Sequence, residues 1–488
     1  MPHRLAAAIL ATALSTVSCI SAQERQPPAD WLEQCTLDRI EAVAWCGSYS
    51  VFEDRAAMSG RKIDLNVVVI AAESADPEPD PVFYFVGGPG AAATESASSA
   101  MWVLRALHPT RDIVLVDQRG TGSSNPLDCD GVVSDRTMQR FFMQFLEPDF
   151  VTGCLEKLRP SANVALYTTP IAMDDIDEIR AALGYEMINL YGGSYGTRAA
   201  LVYLRRHTES VRTVALKGIA PTNMKNPLPF ARAAERGLRG VFHACAVSPD
   251  CHAAFPDLEG DWRSVLAQFE AGAVQAEVHN PERGQSETVT IPRGVFMDGI
   301  RHLLYTVGRA RHVPRTVHAA ARGDFSIFAQ LEIDQSIGFD NMLSDGMFIT
   351  VTCSEDLAFI EEHEIGPASE GTYLQDYRVR RQLAACELWD VAEIPASFMD
   401  PIRVDTPALL LSGVFDTATP YEGGDWVAQF MPNGLHTVAP NQHHGYANHR
   451  CELGLIGEFI TKGTTAGLDT SCIAETRRPE FVIEDAIP

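Results

Sequence analysis

The chain lacks any Cys-x-x-Cys pair, any run of lysine and arginine, and, past its N-terminal segment, any apolar stretch long enough to cross a bilayer. Each absence removes a class of function. Without close cysteine pairs there is no thiolate clamp for a structural zinc ion. With 39 basic residues against 64 acidic ones, a net charge of −25, the surface repels phosphate backbones and argues against a nucleic-acid partner. No glycine-rich loop is followed by Gly-Lys-Ser/Thr, so nucleotide phosphates have no cradle. No internal repeat or low-complexity tract is present, and no stable membrane span is expected.

What is present is a globular composition: 488 residues, 46% hydrophobic and only 21% charged, enough for a substantial core. Arg4 precedes the apolar run LAAAILATALSTVSCI, and Ile20, Ser21 and Ala22 stand before Gln23. This is the layout of a secretory signal peptide cleaved after Ala22, which places the mature protein in the periplasm or outside the cell. Cys19 follows Thr16, Val17 and Ser18, a poor lipoprotein box. Ten of the eleven cysteines then remain. An even number in an exported chain predicts disulfides, and pairing in chain order is the simplest arrangement: Cys35 with Cys46, Cys129 with Cys154, Cys245 with Cys251, Cys353 with Cys386, and Cys451 with Cys472. Each such loop closure stabilises the fold by about 3 kcal/mol in the chain-entropy account.

Nearly continuous apolar segments at residues 63–72, 81–88, 112–120, 188–193, 211–220 and 408–416 read as strands covered on both faces. Helical patterns lie between several of them, so the expected class is α/β with a mainly parallel sheet. From 221 to 400 the rhythm changes to helical segments such as PFARAAERGLRGVFHACA, with a turn-rich break at HNPERGQSE. The expected organisation is a signal peptide over 1–22, core over 23–220, a largely helical cap inserted over 221–400, and core again over 401–488.

The most informative segment is INLYGGSYGT, residues 188–197. An apolar strand enters Gly192, Gly193, Ser194, Tyr195 and Gly196 and a helical pattern follows, which is the G-x-S-x-G nucleophile elbow in its required context. A serine hydroxyl is a weak nucleophile and needs a base oriented by a carboxylate. Two later segments supply them in the order Ser, Asp, His: an apolar strand ending at Asp416, and a short strand followed by His443 and His444. The tetrahedral oxyanion needs donors worth roughly 3 kcal/mol each. The Tyr195 N–H is one, and the loop Gly87, Gly88, Pro89, Gly90 offers the second at Gly88. A metal site from His443, His444 and His449 lacks an i, i+4 histidine pair with a matching carboxylate, so no metal or cofactor is expected.

With GGPG at 87–90, DQRGTG at 117–122, GGSYG at 192–196 and the late Asp416 and His444, the chain resembles the proline iminopeptidase and tripeptidyl aminopeptidase group of exported α/β-hydrolase peptidases. The resemblance covers most of residues 30–480, including the C-terminal pattern in which Cys451 and Leu-Asp-Thr-Ser-Cys, ending at Cys472, bracket the last helix. It implies an α/β-hydrolase fold, Ser194 as nucleophile, Asp416 as acid and His444 as base, with Asp117 and Arg119 of DQRGTG architectural. The chain departs from the group at Val86, where many relatives have histidine, and at His443, where glycine commonly precedes the base. Neither change removes a member of the triad, but both bear on substrate choice.

The favoured reading is a serine exopeptidase acting on peptides with free N-termini. A carboxylesterase or other small-ester hydrolase with the same triad is the alternative, and a non-catalytic binding protein is a distant third. Between Gly323 and Tyr377 stand twelve acidic residues and no lysine or arginine, suited to holding a substrate ammonium group. Glu355, beside Cys353, is the expected anchor, with Asp356 as its neighbouring alternative; a solvated acidic face accounts for most of the others.

Overall fold

The computed structural model describes residues 25–132, 135–281, 283–340, 342–446 and 448–483; the signal-peptide reading and Cys19 lie outside them. Among the described residues eleven strands form: β1 Glu33–Leu37, β2 Ile40–Phe52, β3 Lys62–Ile70, β4 Val82–Phe85, β5 Ile113–Val116, β6 Ile188–Gly193, β7 Val211–Lys217, β8 Val274–Asn280, β9 Gln285–Ile291, β10 Ala408–Gly413 and β11 Gly434–Ala439. Nine of them make one sheet in the order β1-β2-β3-β5-β4-β6-β7-β10-β11. The six from β5 to β11 run parallel, and β1, β2 and β3 continue the sheet antiparallel. This is the α/β hydrolase architecture.

Burial explains the composition of these strands. Every residue of β5 and β10 is buried, as a strand with helices on both faces requires, and apolar side chains fill all of β5 and the first four positions of β10. Period-two alternation divides the side chains between the faces. Val67 and Val69 join one core cluster, while Val68 and Ile70 join the other. Along much of β2 exposed positions instead alternate with partly buried ones, because one of its faces meets water. That broken apolar pattern left β1 and β2 unread in the sequence.

Between β7 and β10 the chain leaves the sheet. Helices such as Phe230–Val247, Arg293–Leu303 and Ser326–Asp340 dominate this stretch, and a separate core gathers Phe242, Trp262, Phe296 and Phe328. The turn-rich HNPERGQSE is the tip of a hairpin, with β8 paired antiparallel to β9. The later helix Asp345–Glu355 behaves differently, since Met347, Ile349 and Val351 pack into the core of the sheet. Five disulfides join the cysteines in chain order: Cys35–Cys46, Cys129–Cys154, Cys245–Cys251, Cys353–Cys386 and Cys451–Cys472. Such a set fits an oxidising environment. Among the described residues no helix is long and apolar enough to cross a membrane.

Candidate active site

Ser194 links the end of β6 to the helix Tyr195–Arg206 with φ 57° and ψ −128°, a backbone conformation that L-residues rarely adopt. The glycines make the turn possible. A Cβ on Gly196 would lie 2.1 Å from the Phe85 carbonyl oxygen, and one on Gly192 would lie 2.4 Å from the Gly196 carbonyl oxygen. The strained serine is held at both ends: its N–H donates to the Lys217 carbonyl at 2.9 Å, and its own carbonyl accepts from Thr197 N at 2.9 Å and Thr197 Oγ1 at 2.6 Å.

Asp416 follows β10 and is wholly buried. One carboxylate oxygen accepts from Ala418 N and Thr419 N, each at 2.8 Å. The other accepts from Thr419 Oγ1 at 2.8 Å and lies 2.8 Å from His444 Nδ1. Burial alone would raise this carboxyl, but the adjoining His444, Lys217 and the Thr419 N–H outweigh it and hold the group at about 2. It therefore stays charged at neutral pH and fixes the ring tautomer that leaves Nε2 free to accept a proton. No hydrogen bond joins Ser194 Oγ to His444, although both line one cavity of about 760 Å³. Catalytic contacts of this kind commonly tighten when substrate binds.

His443, next along the chain, is built into the scaffold. It is fully buried, with Nδ1 2.6 Å from the Leu304 carbonyl and Nε2 2.9 Å from Arg478 Nη1. Burial, with Arg478 beside it, pulls its pKa down to about 3, so both nitrogens of a neutral ring are occupied structurally.

Gly88 and Tyr195 also line the cavity. The loop carrying Gly88 is pinned from the inserted segment: Ser344 N donates to the Gly90 carbonyl at 2.9 Å, and Ala91 bridges to Leu343. Asp117 and Arg119 act architecturally. Asp117 accepts from Thr94 N at 2.8 Å and Asn66 Nδ2 at 3.0 Å; Arg119 grips Asp175 with two hydrogen bonds of 2.6 and 2.9 Å, all inside the core.

Glu355 is not where an amine anchor has to be. Its carboxylate is fully buried and turned to the start of the helix Thr169–Ala182, accepting from Thr169 N at 2.6 Å and Thr169 Oγ1 at 2.7 Å. Burial pushes it up to about 7 in spite of the nearby Arg198. Adjacent residues on a helix point in different directions, and Asp356 is the one that faces the cavity. It is paired with Arg198 at 2.8 Å.

The acidic stretch does supply a freer carboxylate that the sequence left among its solvated residues. Glu332 lines the cavity, with one oxygen close against the backbone at Gly299. Among the described residues none donates a hydrogen bond to it. Burial, reinforced by Asp298, raises it to about 8, and Arg301 and Arg309 offset this only in part. Asp298, also in the cavity wall, is matched by Arg301 at 2.7 Å and Arg378 at 2.6 Å. Aromatic residues including Phe141, Phe145, Phe348 and Tyr305 complete the lining. Only the signs of the charges in this segment were legible beforehand, because which of them turn inward depends on how the inserted helices pack.

Residues 80–244 match the α/β hydrolase fold family, and residues 372–472 match the TAP-like protein family. The chain is 25% identical to serine protease Hip1 of Mycobacterium tuberculosis over 96% of both proteins. It is 31% identical to the tripeptidyl aminopeptidase of Streptomyces coelicolor over 39% of this chain and 38% of that protein. With the proline iminopeptidase of Neisseria gonorrhoeae it shares 24% identity over 50% of this chain and 74% of that protein.

Proposed function

We propose that this α/β hydrolase with a TAP-like C-terminal region is an exported serine exopeptidase, with Ser194 as nucleophile, His444 as base and Asp416 as its orienting acid. The relatives named as a serine protease, a tripeptidyl aminopeptidase and a proline iminopeptidase support the peptidase class. Ser194 Oγ attacks the scissile carbonyl while His444 Nε2 takes its proton. The N–H groups of Tyr195 and Gly88 receive the oxyanion. Collapse of the tetrahedral intermediate passes that proton from His444 to the leaving amine, and water then hydrolyses the acyl-enzyme by the same route.

One observation favours a free N-terminus over a simple ester: the cavity that holds Ser194 and His444 also holds Glu332, to which no described residue donates a hydrogen bond. A charge placed there without a donor is costly unless a ligand supplies one, and a substrate ammonium group does so. An aminoacyl or tripeptidyl amide would thereby be held by its amine while its carbonyl reaches Ser194. The test compares free and N-acetylated aminoacyl and tripeptidyl amides with short acyl esters. The reading requires cleavage of the free-amine amides with strong loss on acetylation; equal cleavage of blocked substrates, or turnover of esters alone, overturns it. Five disulfides and the N-terminal pattern support export.

A further inference from the structure

A lysine closes strand β7 after the buried apolar run Val214, Ala215 and Leu216, and Lys217 is only 4% exposed. Burying an ammonium group is expensive, so its contacts should say why it is there. Its register places it between the two strands that deliver the candidate nucleophile and acid: it pairs with Gly193 of β6, one residue before Ser194, and with Leu411 of β10, five residues before Asp416. Its main-chain carbonyl accepts the Ser194 N–H at 2.9 Å. Its Nζ reaches to the third loop and donates to the main-chain carbonyl of His444 at 3.0 Å. The same Nζ lies 5.4 Å from the centre of the Tyr446 ring, whose hydroxyl is hydrogen-bonded to Tyr191 of β6. Burial lowers the pKa of Lys217, and the buried carboxylates of Glu452 and Asp416 oppose this only in part. Glu452 is in turn fixed by Gln442 Nε2 at 2.7 Å.

We propose that Lys217 is a positioning residue for acyl transfer, its backbone anchoring the nucleophile and its ammonium group anchoring the base, so that one residue sets the distance between Ser194 and His444. The proposal rests on the reading of those two residues as nucleophile and base. His444 sits in a loop after β11, and its Asp416 contact fixes only the ring. A ring hinged at one edge can still swing, and holding its main-chain carbonyl removes that freedom. Misplacement by about 1 Å costs on the order of 100-fold in rate, and it falls on the chemical step rather than on substrate binding.

The experiment measures turnover per reactive serine. Lys217→Met and Lys217→Gln, which lack an ammonium group to reach the His444 carbonyl, are titrated with a fluorophosphonate probe to count labelled Ser194. Separate unlabelled portions of the same preparations are assayed on a free-amine peptide amide, and the rate is divided by the count of labelled serines. Turnover per labelled serine should fall by about 100-fold with KM nearly unchanged, and Lys217→Arg, which keeps a cationic donor, should recover a large part of the loss. A purely structural lysine would lower the melting temperature or the labelled fraction while each labelled serine turned over at the parent rate, and that result in either neutral variant overturns the proposal. If one neutral variant gives no cooperative melt, the other carries the comparison. Absence of probe on Ser194 in the unmodified protein, with peptide turnover intact, overturns the nucleophile reading and this proposal together. Labelling of the parent with parent-like turnover in the variants overturns this proposal alone.

Discussion

Ser194→Ala deletes one oxygen from a turn whose shape is set by neighbouring glycines and main-chain hydrogen bonds. Peptide hydrolysis should fall by several orders of magnitude with the melting temperature held, and assays of purified variant beside parent check both. The two consecutive histidines should separate cleanly. His444→Gln loses turnover, whereas His443→Gln, which disturbs the contacts to Leu304 and Arg478, loses about 1 to 3 kcal/mol of stability instead; urea melts and turnover at neutral pH decide. If His443→Gln is the silencing change, the base assignment must be exchanged. A second row of Ser412, His436 and Asp425 has spacings of 2.9 and 3.0 Å, but its serine is buried, only 2% exposed, and lies outside the cavity that holds Ser194. Glu332 carries a prediction about pH. Its carboxyl is raised from 4.5 to about 8, so the folded state holds the proton more tightly than the unfolded chain. Its contribution to stability is therefore full below pH 4.5 and is lost as pH rises through about 8. Glu332→Gln should raise the melting temperature relative to parent above pH 8. It should also cut kcat/KM on free-amine amides by about 30-fold or more, as loss of a desolvated charge pair does, and leave acyl esters little changed. Equal effects on both substrates would remove Glu332 from amine binding.

At the scale of elements, the strand-turn-helix from Ile188 to Arg206 is the unit that aims Ser194, the proposed nucleophile, and its tolerance is set by backbone approach. Gly196→Ala would drive a Cβ to within 2.1 Å of the Phe85 carbonyl on β4, which the central strands cannot yield to. We expect loss of activity together with destabilisation of at least about 1 to 3 kcal/mol, seen as a lowered melting temperature. A variant that melts and turns over like the parent would contradict this turn geometry. The element was readable because its glycines, apolar strand and helix occur in one continuous stretch. The helix Asp345–Glu355 was not, since its burial pattern arises from packing on the sheet rather than from a one-sided apolar stripe.

At the scale of the whole molecule, five disulfides tie short loops within both the sheet region and the inserted segment. Protein recovered from an oxidising compartment should show no alkylatable thiol in its mature chain, and peptide mapping without reduction should return the five neighbouring pairs. Reduction should then lower stability by about 2 to 5 kcal/mol for each bridge lost. Ten reactive thiols in the exported protein would remove both the pairing and the compartment.

The sequence by itself determined the fold class, the nucleophile elbow, the order of the candidate triad and the neighbouring cysteine couples, because each is written in residues close together or in a periodicity that local burial imposes. The tertiary structure alone decided which member of each adjacent pair faces the cavity. His444 rather than His443, and Asp356 rather than Glu355, line it, since successive side chains diverge and only packing says which side is open. It also placed Glu332 in the cavity wall and the Nζ of Lys217 on the His444 carbonyl: an acidic residue within a helix and a lysine ending a strand have no local mark of function. The Nζ of Lys217 meets a carbonyl 227 residues away in the chain, and Glu332 shares one cavity with Ser194 and His444; only the tertiary fold brings such groups together.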